Sequence, residues 1–180
     1  MIRALLITAL MLLPSVGIGQ AKPYKLTLKQ MIDLLDKDDS EVNDYLIERN
    51  WVFYEAKKPS KDAYGGITWR YEPQGSFSDR AVAFFILNLD DQTILGEPLR
   101  VRMNAFYQHH SPDIQKALKA EVASYGMKQI KSDFFNDGSM YTDYAGKNYV
   151  CRFRTAKGDN SKQVFTVYLY KKYNYELYRP

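Results

Sequence analysis

Eight strand-like runs, set four and four around a single helix start, constrain this chain more than any other feature. The first four are "WVFYEA" (51–56), "GITWRYE" (66–72), "AVAFFILNL" (81–89) and "LRVRMNAFY" (99–107). The second four are "MKQIKSDFF" (127–135), "SMYTDYA" (139–145), "NYVCRFRT" (148–155) and "QVFTVYLYK" (163–171). All are rich in β-branched and aromatic residues, and clusters of Gly, Pro, Asn, Asp and Ser separate them. "NDG" and "GK" are tight hairpin turns and "AKGDNSK" is a longer one, so consecutive runs are expected to pair antiparallel.

The helical signals fall before each group. Thr27 stands three residues before Gln30, the spacing of a capping box, and Leu28, Met31, Ile32 and Leu35 follow on one face. "DKDDS" interrupts that face. Val42, Tyr45 and Leu46 resume it in a second short helix ending near Arg49, with Asp39 or Ser40 as cap. In "HHSPD", Ser111 is an N-cap, Pro112 suits the first helical position and Asp113 complements the helix dipole. Ile114, Ala117, Leu118, Val122 and Tyr125 form its apolar face, and Gly126 ends it.

The expected fold is therefore α+β, a tandem duplication of helices plus a four-stranded antiparallel meander, with the helices packed on one face of the sheet. Trp51 and Met127 open the two meanders 76 residues apart. The expected units are 24–108 and 109–180, together one compact domain.

Residues 1–21 read as a secretory signal peptide. Arg3 gives a basic start, Ala4 to Leu13 are apolar, and Pro14 and Ser15 break the run. Small residues at Gly17, Gly19 and Ala21 allow cleavage before Gln20 or before Lys22. The apolar run is too short to span a membrane, so no transmembrane helix is expected after processing. A periplasmic or secreted location follows. Cys151 is the only cysteine, so an exported domain would be held by burial rather than by a disulfide.

Tandem units of helices and a four-stranded antiparallel sheet, exported and about this long, resemble the β-lactamase inhibitor protein fold. Many bacterial exported proteins share the arrangement, and small outer-membrane assembly lipoproteins are similar in a looser way. The resemblance lies in the order of elements over nearly all of the mature chain and carries no residue motif. The paired cysteines of the inhibitor are missing here.

Alternation splits each strand into two faces. Leu99, Val101, Met103 and Ala105 oppose Arg100, Arg102 and Asn104. Tyr149, Cys151 and Phe153 oppose Val150, Arg152 and Arg154, and Ile67, Trp69 and Tyr71 oppose Thr68 and Arg70. The runs 81–89 and 163–171 are apolar on both faces, so part of the open face must be covered or sticky. Arg70, Arg100, Arg102, Arg152 and Arg154 are the candidate binding residues. On one open face they would suit an acidic protein or an anionic envelope component, since guanidinium forks grip carboxylates. The alternative is a strand face neutralised by Asp143 and Glu72. The 15 tyrosines concentrate toward the C-terminus, where Tyr168 and Tyr170 read as strand residues. Tyr173, Tyr175 and Tyr178 read as an extended tail along the protein.

Catalytic signals are sparse. Cys151 alternates onto the core face, where a thiol acts as a small apolar filler. His109 and His110 lack the spacing of metal ligands, and Asp36, Asp38 and Asp39 lack the glycine and glutamate of a calcium loop. No catalytic residue, metal site or cofactor is therefore assigned. With a net charge of only +4 and no polybasic run, nucleic acid is not an expected partner. The sequence favours an exported, non-enzymatic binding domain that contacts a protein or envelope component through a sheet face. A small secreted hydrolase-like enzyme and a structural subunit of an envelope complex are the alternatives.

Overall fold

The computed structural model describes residues 24–60, 63–71, 81–94, 97–158 and 162–178. The signal segment and Glu72 lie outside them. Helix α1 (Leu28–Asp36) starts at the Thr27–Gln30 capping box and buries Leu28, Met31, Leu34 and Leu35. Helix α2 (Asp39–Ile47) is capped by Asp38, one residue before the expected position, because Glu41 closes a second capping box on it. Asn50 then takes φ 63°, a left-handed conformation that asparagine tolerates, and turns the chain into the sheet.

Strands β1 (Trp51–Lys57), β2 (Gly65–Tyr71), β3 (Ala83–Ile94) and β4 (Glu97–His109) follow. Helix α3 (Pro112–Ser124) has Ser111 as its N-cap and turns its buried side, with Ile114, Leu118 and Val122, toward the core. Strands β5 (Lys128–Phe134), β6 (Met140–Ala145), β7 (Tyr149–Lys157) and β8 (Gln163–Lys171) come next, and helix α4 (Lys172–Tyr178) closes the described chain.

The tandem architecture expected from sequence is corrected on two points. First, the strands form one eight-stranded antiparallel sheet, ordered β1-β2-β3-β4-β8-β7-β6-β5, rather than repeated four-stranded units. The join is β4 with β8, where Asn104–His109 pair with Phe165–Tyr170. Strand β8 is largely apolar on both faces and Phe106 of β4 packs on Tyr168 across the join, which suits the middle of a wide sheet and not an edge. Second, the helices do not share one face. Helices α1, α2 and α3 cover one side, whose core includes Leu34, Trp51, Trp69, Phe85, Tyr107, Cys151 and Leu169. Helix α4 lies on the other side, with Tyr175 packed on Val150 and Tyr170.

The tail is thus a helix and not an extended strand. Tyr175 and Tyr178 stand at i, i+3, which puts both rings toward the sheet. Tyr178 donates to Asp90 at 2.9 Å, and Asn174 donates to the Arg102 carbonyl at 2.9 Å. Tyr173 stays exposed. Among the described residues no helix is long and apolar enough to cross a membrane.

Candidate functional site

The five arginines do not share a surface. A β-bulge decides the fate of the β4 pair. Asn88 opposes Asn104, but Leu89 opposes Arg102, so Met103 is an extra residue and the alternation reverses there. Arg102 and Arg100 therefore lie on the side of α1–α3, opposite to the expected face. Arg102 donates to the carbonyls of Leu34 (3.3 Å), Leu35 (3.1 Å) and Lys37, and pairs with Asp39 at 2.5 Å. Those carbonyls end α1 without intrahelical partners, and a guanidinium there also meets the negative end of the helix dipole. Arg100 pairs with Asp91 at 3.2 Å and remains half exposed.

The β7 pair does face away from α1–α3, as alternation predicts, but it is not open. Arg152 is 1% exposed and grips Asp143 with both fork nitrogens, at 2.7 and 2.9 Å. Tyr175 of α4 donates to the same carboxylate at 2.5 Å, and the Tyr141 ring lies 4.3 Å from the guanidinium. Burial disfavours the Arg152 charge, but the Asp143 carboxylate more than offsets this and raises its pKa. Arg154 bonds Ser139 at 2.8 Å and pairs with Asp137. Arg70 lies on the same side as Arg152, but β3, β4 and β8 separate their strands, and its guanidinium sits 4.7 Å above the Tyr54 ring. A basic face built from all five arginines does not exist.

A different constellation forms where α1 ends. Asp36, the last residue of α1, receives Lys171 from the end of β8 at 2.6 Å and the Tyr149 hydroxyl from β7 at 2.8 Å. Burial pushes the Asp36 carboxyl up, but Lys171 and Tyr149 together outweigh it and hold the group below the usual carboxylate range. Burial, then the Asp36 charge, push the Tyr149 hydroxyl up to about 12.

Three hollows meet at this junction. One of about 450 Å³ runs past Lys37, Asp38, Asp39, Arg100 and Arg102. It shares Asp36 and Lys171 with a second, of about 600 Å³, lined by Lys147, Asn148, Tyr149, Lys172 and Tyr173. Lys147, Asn148 and Tyr149 also border a third, of about 280 Å³, that reaches Ile32 and Tyr125. The shared lining residues set the three side by side along one groove region at the end of α1. Sequence analysis missed Lys147, Lys171, Lys172 and Tyr149 as site residues. The pairing of β7 with β8, which sets Tyr149 opposite Lys171, is what brings them together. No local motif announces it.

The catalytic candidates are dispersed. Cys151 is fully buried, and burial, then the nearby Asp143, raise its thiol well above the ordinary range. His109 is buried with its ring stacked on Phe165 and accepts from the Ser111 amide at 3.2 Å. His110 is exposed and contacts the Gln163 carbonyl at 3.1 Å, so the two histidines diverge. Among the described residues no group of three or more His, Cys, Asp or Glu is placed to hold a metal ion. No family model, curated protein or solved structure matches the chain.

Proposed function

We propose that this chain is an exported, non-enzymatic binding domain whose ligand is an anionic envelope glycan, held along the groove at the end of α1. The cations gathered on the three adjoining hollows carry this reading. Six cations line them, Lys37, Arg100, Arg102, Lys147, Lys171 and Lys172, against three carboxylates, Asp36, Asp38 and Asp39. Each of those carboxylates already has a partner within the protein. Lys147 and Lys172 are exposed beside them and are the cations best placed to meet an external anion.

The central hollow falls within the usual size range of ligand sites. Tyr149 and Tyr173 present flat rings, Asn148 offers neutral hydrogen bonding, and the lysines supply charge. That mixture suits a sugar chain bearing carboxylates better than an extended apolar ligand. The same groove gives little support to catalysis. Asp36 stays ionised and Tyr149 stays protonated at neutral pH, so neither is poised for proton transfer. Export rests on the N-terminal segment and not on the groove.

Titration calorimetry with galacturonate oligomers tests the reading. The parent should bind, and Lys147→Ser with Lys172→Ser should weaken binding about ten-fold, with the larger loss at low salt. Equal binding by parent and variant would contradict the groove. Binding of acidic peptides in place of uronates would move the ligand class to protein.

A further inference from the structure

The geometry points to a second surface, independent of the groove, at which two copies of this chain join by pairing their β5 strands. Strand β5 is the last in the sheet, and all seven of its residues are exposed. Ile130 and Phe134 are 54% and 69% exposed, large apolar side chains on an edge whose outer backbone groups have no strand beside them among the described residues. Such an edge is a template for strand addition. Proteins usually blunt it with unmatched charge. Here the charges are matched to the strand's own reverse.

An antiparallel pair of identical strands is related by a two-fold axis through one residue. With the axis at Ser132, Lys131 of one copy opposes Asp133 of the other, and the reverse pairing occurs on the far side of the axis. Ser132 then opposes itself, and Phe134 comes level with Ile130, the extra residue where β5 bulges against β6, so the regular charge-matched pairing spans Lys131 to Asp133. Lys131 and Asp133 already lie 3.4 Å apart within one copy, half exposed, so two copies would assemble a quartet of alternating charge. An axis at Lys131 or at Asp133 would instead set like charges against each other, which is unfavourable in a cross-strand pair.

The opposite edge lacks this property. In β1 the axis that sets Glu55 against Lys57 passes through Ala56, and pairing beyond Glu55, from Tyr54 on, would need residues past the end of the strand at Lys57. Strand β5 is thus the edge that can pair with itself in a charge-matched register, giving a sheet of sixteen strands across the dimer with the α1–α3 side of both copies on one face.

Sedimentation velocity of the purified protein over a range of concentrations, with charge-reversal variants, tests this. The parent should show a concentration-dependent dimer. Lys131→Asp and Asp133→Lys should each weaken it by about ten-fold or more, because each reversal sets like charges together twice. The double exchange Lys131→Asp with Asp133→Lys should restore it. A parent that stays monomeric, single variants that dimerise like the parent, or a double exchange that fails to recover would each overturn the proposal.

Discussion

Arg102 and Arg152 stand at the two ends of this protein's electrostatic range. Arg102 closes the end of α1, bonding three main-chain carbonyls and Asp39 while its side chain keeps 17% exposure at the rim of a groove. Arg152, on the other side of the sheet, is sealed beneath α4 with Asp143 and Tyr175. The first arrangement holds two helices against the sheet and leaves a polar hollow beside them. The second leaves almost no surface of either partner exposed. A guanidinium at a helix end can remain wet and still bond carbonyls, whereas one inside an aromatic shell needs a carboxylate to offset its desolvation. The groove side is where a ligand can reach charge.

The largest expected effect is at the sealed pair. Arg152→Ala or Asp143→Asn should cost about 3–5 kcal/mol in urea unfolding, since each leaves a buried partner uncompensated. Replacing both, as Arg152→Met with Asp143→Leu, together with Tyr175→Phe so that no buried hydroxyl is left unpaired, should recover much of that loss, because an apolar cluster has no charge to desolvate. A loss below about 1 kcal/mol for Arg152→Ala would mean that α4 does not seal the site.

At the other end, Arg102→Ala should cost about 2 kcal/mol through the lost helix-end and carboxylate bonds. Arg100→Ala, with both members of the Arg100–Asp91 pair half exposed, should stay within about 0.5 kcal/mol. Equal costs at the two positions would show that the bulge at Met103 does not turn Arg102 toward α1.

Cys151 neighbours Arg152 in the chain but points into the opposite core. Cys151→Ala should cost about 1–2 kcal/mol, as for a small buried side chain. Thiol reagents should react with it only after denaturation. Rapid labelling of the native protein would break the assignment of faces along β7.

The smallest effect is a pH dependence at the groove. The folded pKa of Tyr149 lies above its unfolded value near 10, so its contribution is present below that pH. It should be lost as pH rises from about 10 toward 12. Asp36 is shifted the opposite way, and its contribution should fade in acid, as pH falls below about 4 through its depressed folded pKa. Tyr149→Phe should flatten the alkaline limb of a stability profile and leave the acid limb in place. An unchanged alkaline limb would remove Tyr149 from the junction.

Much of the fold was legible because local rules decided it. Thr27 with Gln30, and Ser111 with Pro112, mark helix starts through capping chemistry, and turn residues separate the strands. The meeting of β4 with β8 was not legible, since nothing in either strand names its partner. Nor was the bulge at Met103, because alternation assumes one residue opposite one, and an extra residue reverses every side chain beyond it. Period two was read into the tail, although Tyr175 and Tyr178 also fit a helical spacing. The arginine face failed for these reasons together. Two of its five arginines, Arg100 and Arg102, turned to the helices, and Arg152 was covered by the tail.

The central claim is that ligand binding belongs to the groove at the end of α1. Amide chemical-shift mapping during titration with galacturonate oligomers tests it most directly. The account predicts shifts clustered at residues 35–39, 147–149 and 171–173, with Asp143, Arg152 and Tyr175 unmoved. Shifts centred instead on Phe84, Ile86, Phe106 and Tyr168, across the other side of the sheet, would contradict it.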